Sequence, residues 1–318
     1  MTQLIKKTIT YIFPIFNESE NIDLLYKTIN ELVAIHADKY NFELVYVNDG
    51  SRDDSLIKLY DLQSKDSRIV IINFTRNFGH QIAITAGLDN AKGDAVIIMD
   101  SDMQDPPEIS IEMIRKWESG FDVVYAKRCS RQDSFFKRLT AYIFYWSLHK
   151  LSDINIPRNT GDFRLLDRRV VDVLNQFREH NRFLRGMSCY VGFNQIAVQF
   201  NRNSRYAGTT NYTFSKMLGL AVDGILGFSW VPLKLISNLG YFFSILSFFG
   251  VLYALIVKIF YPSVAISGWT FTVIAIFMTG GIQMIMLGVL GSYIGRIYTE
   301  TQNRPLYIVE SIRRIKNE

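Results

Sequence analysis

Cysteine is almost absent: Cys129 and Cys189 are the only two, and they stand alone. No disulfide framework can be built from them, and a reducing compartment is implied. Histidine is nearly as scarce, and His36, His80, His149 and His180 show no metal-ligand spacing, so none is assigned chemistry. No Gly-x-Gly-x-x-Gly follows the first strand-like segment, which argues against a dinucleotide-binding domain. Zinc-finger, RRM-like and basic-helix signatures are also missing. The net charge of +5 therefore points to a membrane surface and an anionic substrate, with no nucleic acid. Near the start, Lys6 and Lys7 precede too short an apolar run for a signal peptide, so the N-terminal domain is expected in the cytoplasm. Charge is missing from one long stretch: between Leu235 and Gly295 only Lys258 carries any. The sequence thus divides into a soluble domain over residues 1–231, a membrane part over 232–298 and a basic cytoplasmic tail over 299–318.

The soluble part alternates strand and helix patterns. Strands are expected over residues 8–13, 42–47, 68–74, 94–99 and 121–125. Helices are expected over 18–36, 53–63 and 80–90, the first with Ile22, Leu25, Ile29, Leu32 and Val33 on one face. Such alternation predicts a parallel, doubly wound sheet, whose ligands sit outside the carboxyl ends of the strands. Three polar clusters fall there: Asn17 and Glu18, Asn48 and Asp49, and Asp100 and Asp102. The last belongs to Asp100-Ser101-Asp102-Met103-Gln104-Asp105-Pro106-Pro107-Glu108, where two carboxylates at i and i+2 leave a buried strand and the two prolines stiffen the loop. Hard oxygen ligands there, Asp102 and the Gln104 amide among them, suit Mg²⁺ or Mn²⁺ completed by phosphate oxygens. Taken alone, the same triplet also reads as a solvated acidic turn.

Pro14-Ile15-Phe16-Asn17-Glu18, Val47-Asn48-Asp49-Gly50-Ser51 and Asp100-x-Asp102-x-Gln104-Asp105-Pro106-Pro107-Glu108, in that order, resemble family 2 glycosyltransferases of GT-A fold. The chain is similar above all to polyprenyl-phosphate glycosyltransferases, the group of bactoprenol glucosyltransferases and dolichyl-phosphate mannose synthases. The likeness continues through Asn159-Thr160-Gly161-Asp162-Phe163-Arg164-Leu165, Arg182-Phe183-Leu184-Arg185-Gly186 and Arg205-Tyr206-Ala207-Gly208-Thr209-Thr210, and then departs at Asn211, where many relatives are expected to carry Lys.

This resemblance implies an α/β, Rossmann-like GT-A domain that binds a nucleotide sugar. Asp49 would pair with the nucleobase, Pro14, Asn17 and Glu18 would wall the base and ribose pocket, and Arg76 would join them. Asp100 would lie near ribose and metal, and Asp102 and Gln104 would ligate Mg²⁺ or Mn²⁺. Asp162 would be a catalytic carboxylate, and Arg128, Arg138 and Arg205 would serve the phosphates. The implied reaction moves one sugar, glucose from UDP-glucose, to undecaprenyl phosphate with inversion. Mannose, N-acetylglucosamine or an aminoarabinose derivative are the alternatives, and a catalytically silent membrane scaffold is a further one. No Gln-x-x-Arg-Trp occurs, which disfavours a processive synthase.

Interfacial amphipathic helices are expected near residues 134–151, with Phe135, Leu139, Tyr142, Ile143 and Trp146 at helical spacing, and near 212–229. Two spans, about 233–260 and 268–298, each exceed the roughly 20 residues needed to cross hydrocarbon. Basic residues after the second place both ends in the cytoplasm, a multi-pass arrangement in a bacterial inner membrane. Gly281, Gly288, Gly291 and Gly295 form a small-residue seam that suits either the hairpin or a homo-oligomer.

Overall fold

A computed structural model describes residues 6–129, 157, 160–201, 231–260 and 269–315. A regular β-α alternation comes first: β1 (Lys7–Ile15), α1 (Ser19–Ile35), β2 (Tyr40–Asn48), α2 (Ser55–Lys65), β3 (Ile69–Phe74), α3 (His80–Asn90), β4 (Ala95–Ile98), α4 (Ile109–Glu118) and β5 (Val123–Arg128). After it come β6 (Thr160–Asp167), α5 (Arg168–Leu174), α6 (Leu184–Tyr190), β7 (Gln195–Phe200), the long helices α7 (Val231–Phe260) and α8 (Trp269–Thr301), and β8 (Val309–Arg314). In α1 most of the apolar stripe does what its spacing predicts: Ile22, Leu25, Ile29 and Val33 are buried, and Leu32 is half-buried.

One eight-stranded sheet runs in the order β7-β5-β6-β4-β1-β2-β3-β8. β4, β1, β2 and β3 are parallel, as the alternation predicts. The expectation of a wholly parallel sheet needs correcting, because β6 runs antiparallel to both β4 and β5, and β8 runs antiparallel to β3. Antiparallel strands are common additions to a largely parallel sheet, and the alternation of the first hundred residues carries no trace of them. Order reverses between β1 and β4, so a crevice opens beyond their carboxyl ends. β1 continues through Pro14 to Ile15, but its ladder with β4 stops at Ile12. The proline, which has no N–H to donate, therefore lies past the end of that ladder.

Side chains on one face of the sheet, including Tyr11, Phe13, Tyr46 and Phe163, pack with those of α1, α2 and α4. The other face buries Ile12, Val45, Val47 and Ile98 against Ile84, Val170 and Leu184 of α3, α5 and α6. The stretch read from sequence as a basic tail contains β8. Its Arg314 meets the buried Glu43 at 2.6 Å, Glu310 accepts from Asn73 at 2.6 Å, and the Arg313 carbonyl accepts from Gln63 at 2.9 Å.

α7 and α8 are 30 and 33 residues long and display bare apolar side chains, such as Tyr241, Phe248, Tyr253, Met284 and Ile294. Among the described residues, Met278–Thr301 is the segment long and apolar enough to cross a membrane. A Cβ placed on Gly281, Gly288, Gly291 or Gly295 would meet no described atom within 4 Å. The expected interfacial helices near 134–151 and 212–229 lie outside the described residues.

Candidate active site

Each loop at the crevice is held by the next. After β1, Asn17 turns the chain with φ of 55°, a conformation that asparagine tolerates, and its Oδ1 accepts from the Arg52 N–H at 2.8 Å while its own N–H donates to Ser51 Oγ at 3.0 Å. The Glu18 N–H donates to Ser55 Oγ at 3.1 Å. After β2, the buried Asp49 accepts from the N–H groups of Phe78 at 2.6 Å and Gly79 at 2.9 Å, using one oxygen for each. Burial pushes its carboxyl up, and those two N–H groups pull it back. Asp49 thereby fixes the loop after β3, on which the exposed Arg76 lays its guanidinium over the Phe78 ring at 4.0 Å. Gly50, at φ +65°, lies so close to this loop that a Cβ would come within 2.4 Å of the Arg76 carbonyl carbon.

The antiparallel run of β6 creates the centre of the site. Ile98 of β4 pairs with Arg164, so Asp162 lies across from Asp100 where β4 ends. His80, the first residue of α3, sits between them: its Nε2 is 3.4 Å from Asp162 Oδ2 and 3.5 Å from Asp100 Oδ1. Arg185 of α6 donates from Nε to Asp162 Oδ1 at 2.9 Å and from Nη2 to Oδ2 at 3.3 Å, and Gln81 Nε2 donates to Oδ2 at 3.0 Å. Beneath them the buried Arg164 donates to the Gly161 carbonyl at 2.9 Å and to Ser188 Oγ, tying the start of β6 to α6.

Electrostatics follow from this packing. Burial would raise the Asp162 carboxyl, but the charges and hydrogen bonds of Arg185 and His80 hold it well below the usual carboxylate range. Desolvation would lower the His80 imidazole, yet the Asp162 hydrogen bond and the charges of Asp100 and Asp162 push it up to about 9. Asp100 is raised, by burial first and by Asp162 and Asp102 in addition, against the pull of His80.

The sequence-derived candidates fall into three groups. Asp100 and Asp162 meet at His80, and Asp102 and Gln104 lie on the loop after β4; the Gln104 N–H donates to Asp102 Oδ1 at 3.1 Å, and Met103 between them has φ of 57°. Pro14, Asn17, Glu18, Asp49 and Arg76 border the same edge on the neighbouring strand ends. Arg128 ends β5, its Nη2 lies 3.8 Å from Asp105 Oδ1, and Gly161 leaves the space beside it: a Cβ there would be 3.3 Å from Arg128 Nη2. Arg138 and Arg205 lie outside the described residues.

The sequence assigns His80 no chemistry; the structure places its Nε2 beside Asp162 and Asp100. Its one signal is position, directly after the strand-end loop of β3. Arg185 and Gln81 are equally missed by the sequence as partners of Asp162. No group of three His, Cys, Asp or Glu among the described residues forms a metal site of protein ligands alone. A divalent ion held by one or two carboxylates and completed by phosphates is still a fit, because Asp100 Oδ1 is buried with no hydrogen bond, the His80 Nε2 standing 3.5 Å away.

The sequence model described as Glycosyl transferase family 2 matches residues 10–174, the segment that carries Asn17, Asp49, Asp100, Asp102 and Asp162. An uncharacterized glycosyltransferase of Bacillus subtilis, YkcC, is 46% identical over 96% of this chain and 94% of its own length. A bactoprenol glucosyl transferase of Shigella phage SfX is 40% identical over 95% of this chain and 99% of its own. The prophage bactoprenol glucosyl transferase homolog of Escherichia coli is 39% identical over 96% and 99%. The crevice of a GT-A-like sheet, the family match across it and end-to-end identity near 40% together place the chain in glycosyltransferase family 2.

Proposed function

We propose that this glycosyltransferase moves one sugar, glucose from UDP-glucose, onto undecaprenyl phosphate at the cytoplasmic face of the membrane. The observation that carries the reading is the extent of the likeness. Relatives named bactoprenol glucosyl transferases match over 95–96% of the chain, its apolar helices included as well as its catalytic domain. Asn17, Glu18, Asp49 and Arg76 border the pocket for base and ribose, and Asp49 retains lone pairs for a nucleobase N–H beyond the two backbone donors it already serves. Asp100, Asp102 and Gln104 would hold Mg²⁺ or Mn²⁺. When bound, the ion supplies Lewis-acid stabilisation of the departing nucleoside diphosphate.

The acceptor is a phosphate monoester with a second pKa of about 6, so it arrives ionised and needs no general base. Asp162, kept ionised by Arg185 and His80, orients groups at the anomeric centre and does not abstract a proton. Arg128, with Arg138 and Arg205, reduces repulsion between donor and acceptor phosphates. A single displacement inverts the anomeric carbon, so an α-linked donor gives a β-linked lipid phosphate sugar. α7 and α8 cross the bilayer as a pair, keeping the catalytic domain at headgroup level.

The test is transfer of radiolabel from UDP-glucose, GDP-mannose and UDP-N-acetylglucosamine to undecaprenyl phosphate by purified protein with Mg²⁺, Mn²⁺ or chelator. Metal-dependent lipid labelling from UDP-glucose, abolished by Asp102→Asn in a folded protein, is the expected result. Labelling from another donor overturns the choice of sugar. Intact nucleotide binding with no labelling from any donor overturns the reaction.

A further inference from the structure

The connection between α5 and α6 is held at one end by the apolar helix and at the other by the site. His180 places its N–H and both ring nitrogens against the end of α8 and the turn beyond it. The N–H donates to Glu300 Oε1 at 2.8 Å, Nδ1 is 3.0 Å from Glu300 Oε2, and Nε2 is 3.1 Å from the Arg304 carbonyl oxygen. Four residues later the Leu184 N–H donates to Gln81 Oε1 at 2.9 Å, and Gln81 passes the contact on through Nε2 to Asp162. Arg185 then forks the same carboxylate. In between, Arg182 is buried and donates from Nη1 to the Phe177 carbonyl, and just before His180, Arg178 pairs with Asp89 of α3 at 2.9 Å. From His180 to Arg185 the chain can reach at most about 17 Å fully extended.

We infer that His180 and Glu300 are positioning residues for sugar transfer. By fixing residues 180–185 against the end of the candidate membrane helix, they set the direction from which Gln81 and Arg185 grip Asp162. The inference rests on the proposed role of Asp162 in that transfer. The nucleotide side of the crevice is spared, because among the described residues neither His180 nor Glu300 hydrogen-bonds to the loops after β1 and β2. Small misplacements of a reacting geometry are costly in turnover and need not change binding.

The test uses the full chain in lipid nanodiscs, as wild type, His180→Ala, His180→Asn and Glu300→Gln. His180→Ala should lower kcat about tenfold while KM for the nucleotide sugar stays within about twofold. His180→Asn, which keeps a donor toward Glu300, should recover most of the loss. Independently of activity, hydrogen–deuterium exchange over residues 184–190 should rise in His180→Ala and Glu300→Gln and stay unchanged in α1. Unchanged exchange over 184–190 overturns the inference whether or not sugar is transferred. So does an unchanged kcat, or a fall in nucleotide binding and thermal midpoint together, which would mark general loosening. Wild type that transfers no sugar but shows the expected exchange pattern supports the coupling and counts against the proposed function alone.

Discussion

Gly50 decides whether the loops after β2 and β3 can touch. With φ of +65° and a virtual Cβ 2.4 Å from backbone of Arg76 and 2.6 Å from that of Asn77, it is constrained by both conformation and space. Gly50→Ala should cost about 1–3 kcal/mol of stability and push the loop of Arg76 away from Asp49. Denaturant titration and the KM for nucleotide sugar should both register it. Asp162 makes a prediction in pH. Its carboxyl is depressed, so the stability it contributes is present above its ordinary unfolded value and is lost only as pH falls through the lower folded one. It should therefore stay ionised throughout the range in which turnover can be assayed. Asp162→Asn should lower kcat at every pH without removing an acidic limb from the profile, and a limb that disappears in the mutant would identify Asp162 as a base. Asp49, Asp100 and Asp102 are legible from sequence because each follows a strand pattern and stands at a strand end. His80 stands there too, but a lone histidine after Gly79 offers no spacing to read, and its meaning comes from Asp162, which is brought to it only by the reversal of β6.

The elements are legible in proportion to how completely they are buried. β1 to β4 are mostly apolar and almost wholly buried, so composition marks them. β8 is an edge strand, Val309-Glu310-Ser311-Ile312-Arg313-Arg314, with alternating burial and charged residues on it, and it reads as a tail. Its contacts are nonetheless structural. Arg314 with Glu43, Glu310 with Asn73 and the Arg313 carbonyl with Gln63 satisfy polar groups on β2, α2 and β3. Removing residues 304–318 should leave Glu43, Asn73 and Gln63 without these partners, at about 1–3 kcal/mol for each that is left unsatisfied. A lower thermal midpoint and faster exchange in β3, with α4 unaffected, would show it. The antiparallel direction of β6 is illegible for a different reason, since residues 129–159 separate it from β5 and no hairpin turn announces the reversal.

At the scale of the whole molecule, the charge-poor stretch is the plainest signal in the sequence, and it corresponds to two long helices with bare apolar flanks. Leu287, exposed near the middle of Met278–Thr301, offers a direct test. Leu287→Lys should oppose burial in hydrocarbon by about 2.5–3.5 kcal/mol and shift the protein toward the supernatant on carbonate extraction, with nucleotide binding intact. Membrane sedimentation equal to that of wild type would argue that this helix stays out of the bilayer. The sheet adds a constraint of parity. β7 ends at Phe200 and β8 begins at Val309, and both belong to one sheet. A chain that leaves a sheet and returns to it finishes on the side of the bilayer where it started, so its traversals are even in number. If Met278–Thr301 crosses, the return must come from residues 201–277, where α7 is the 30-residue helix available. Orientation would then be a closed circuit fastened by the register of β3 on β8, and exchanging the charges that flank the helices should not invert one helix while that pairing holds.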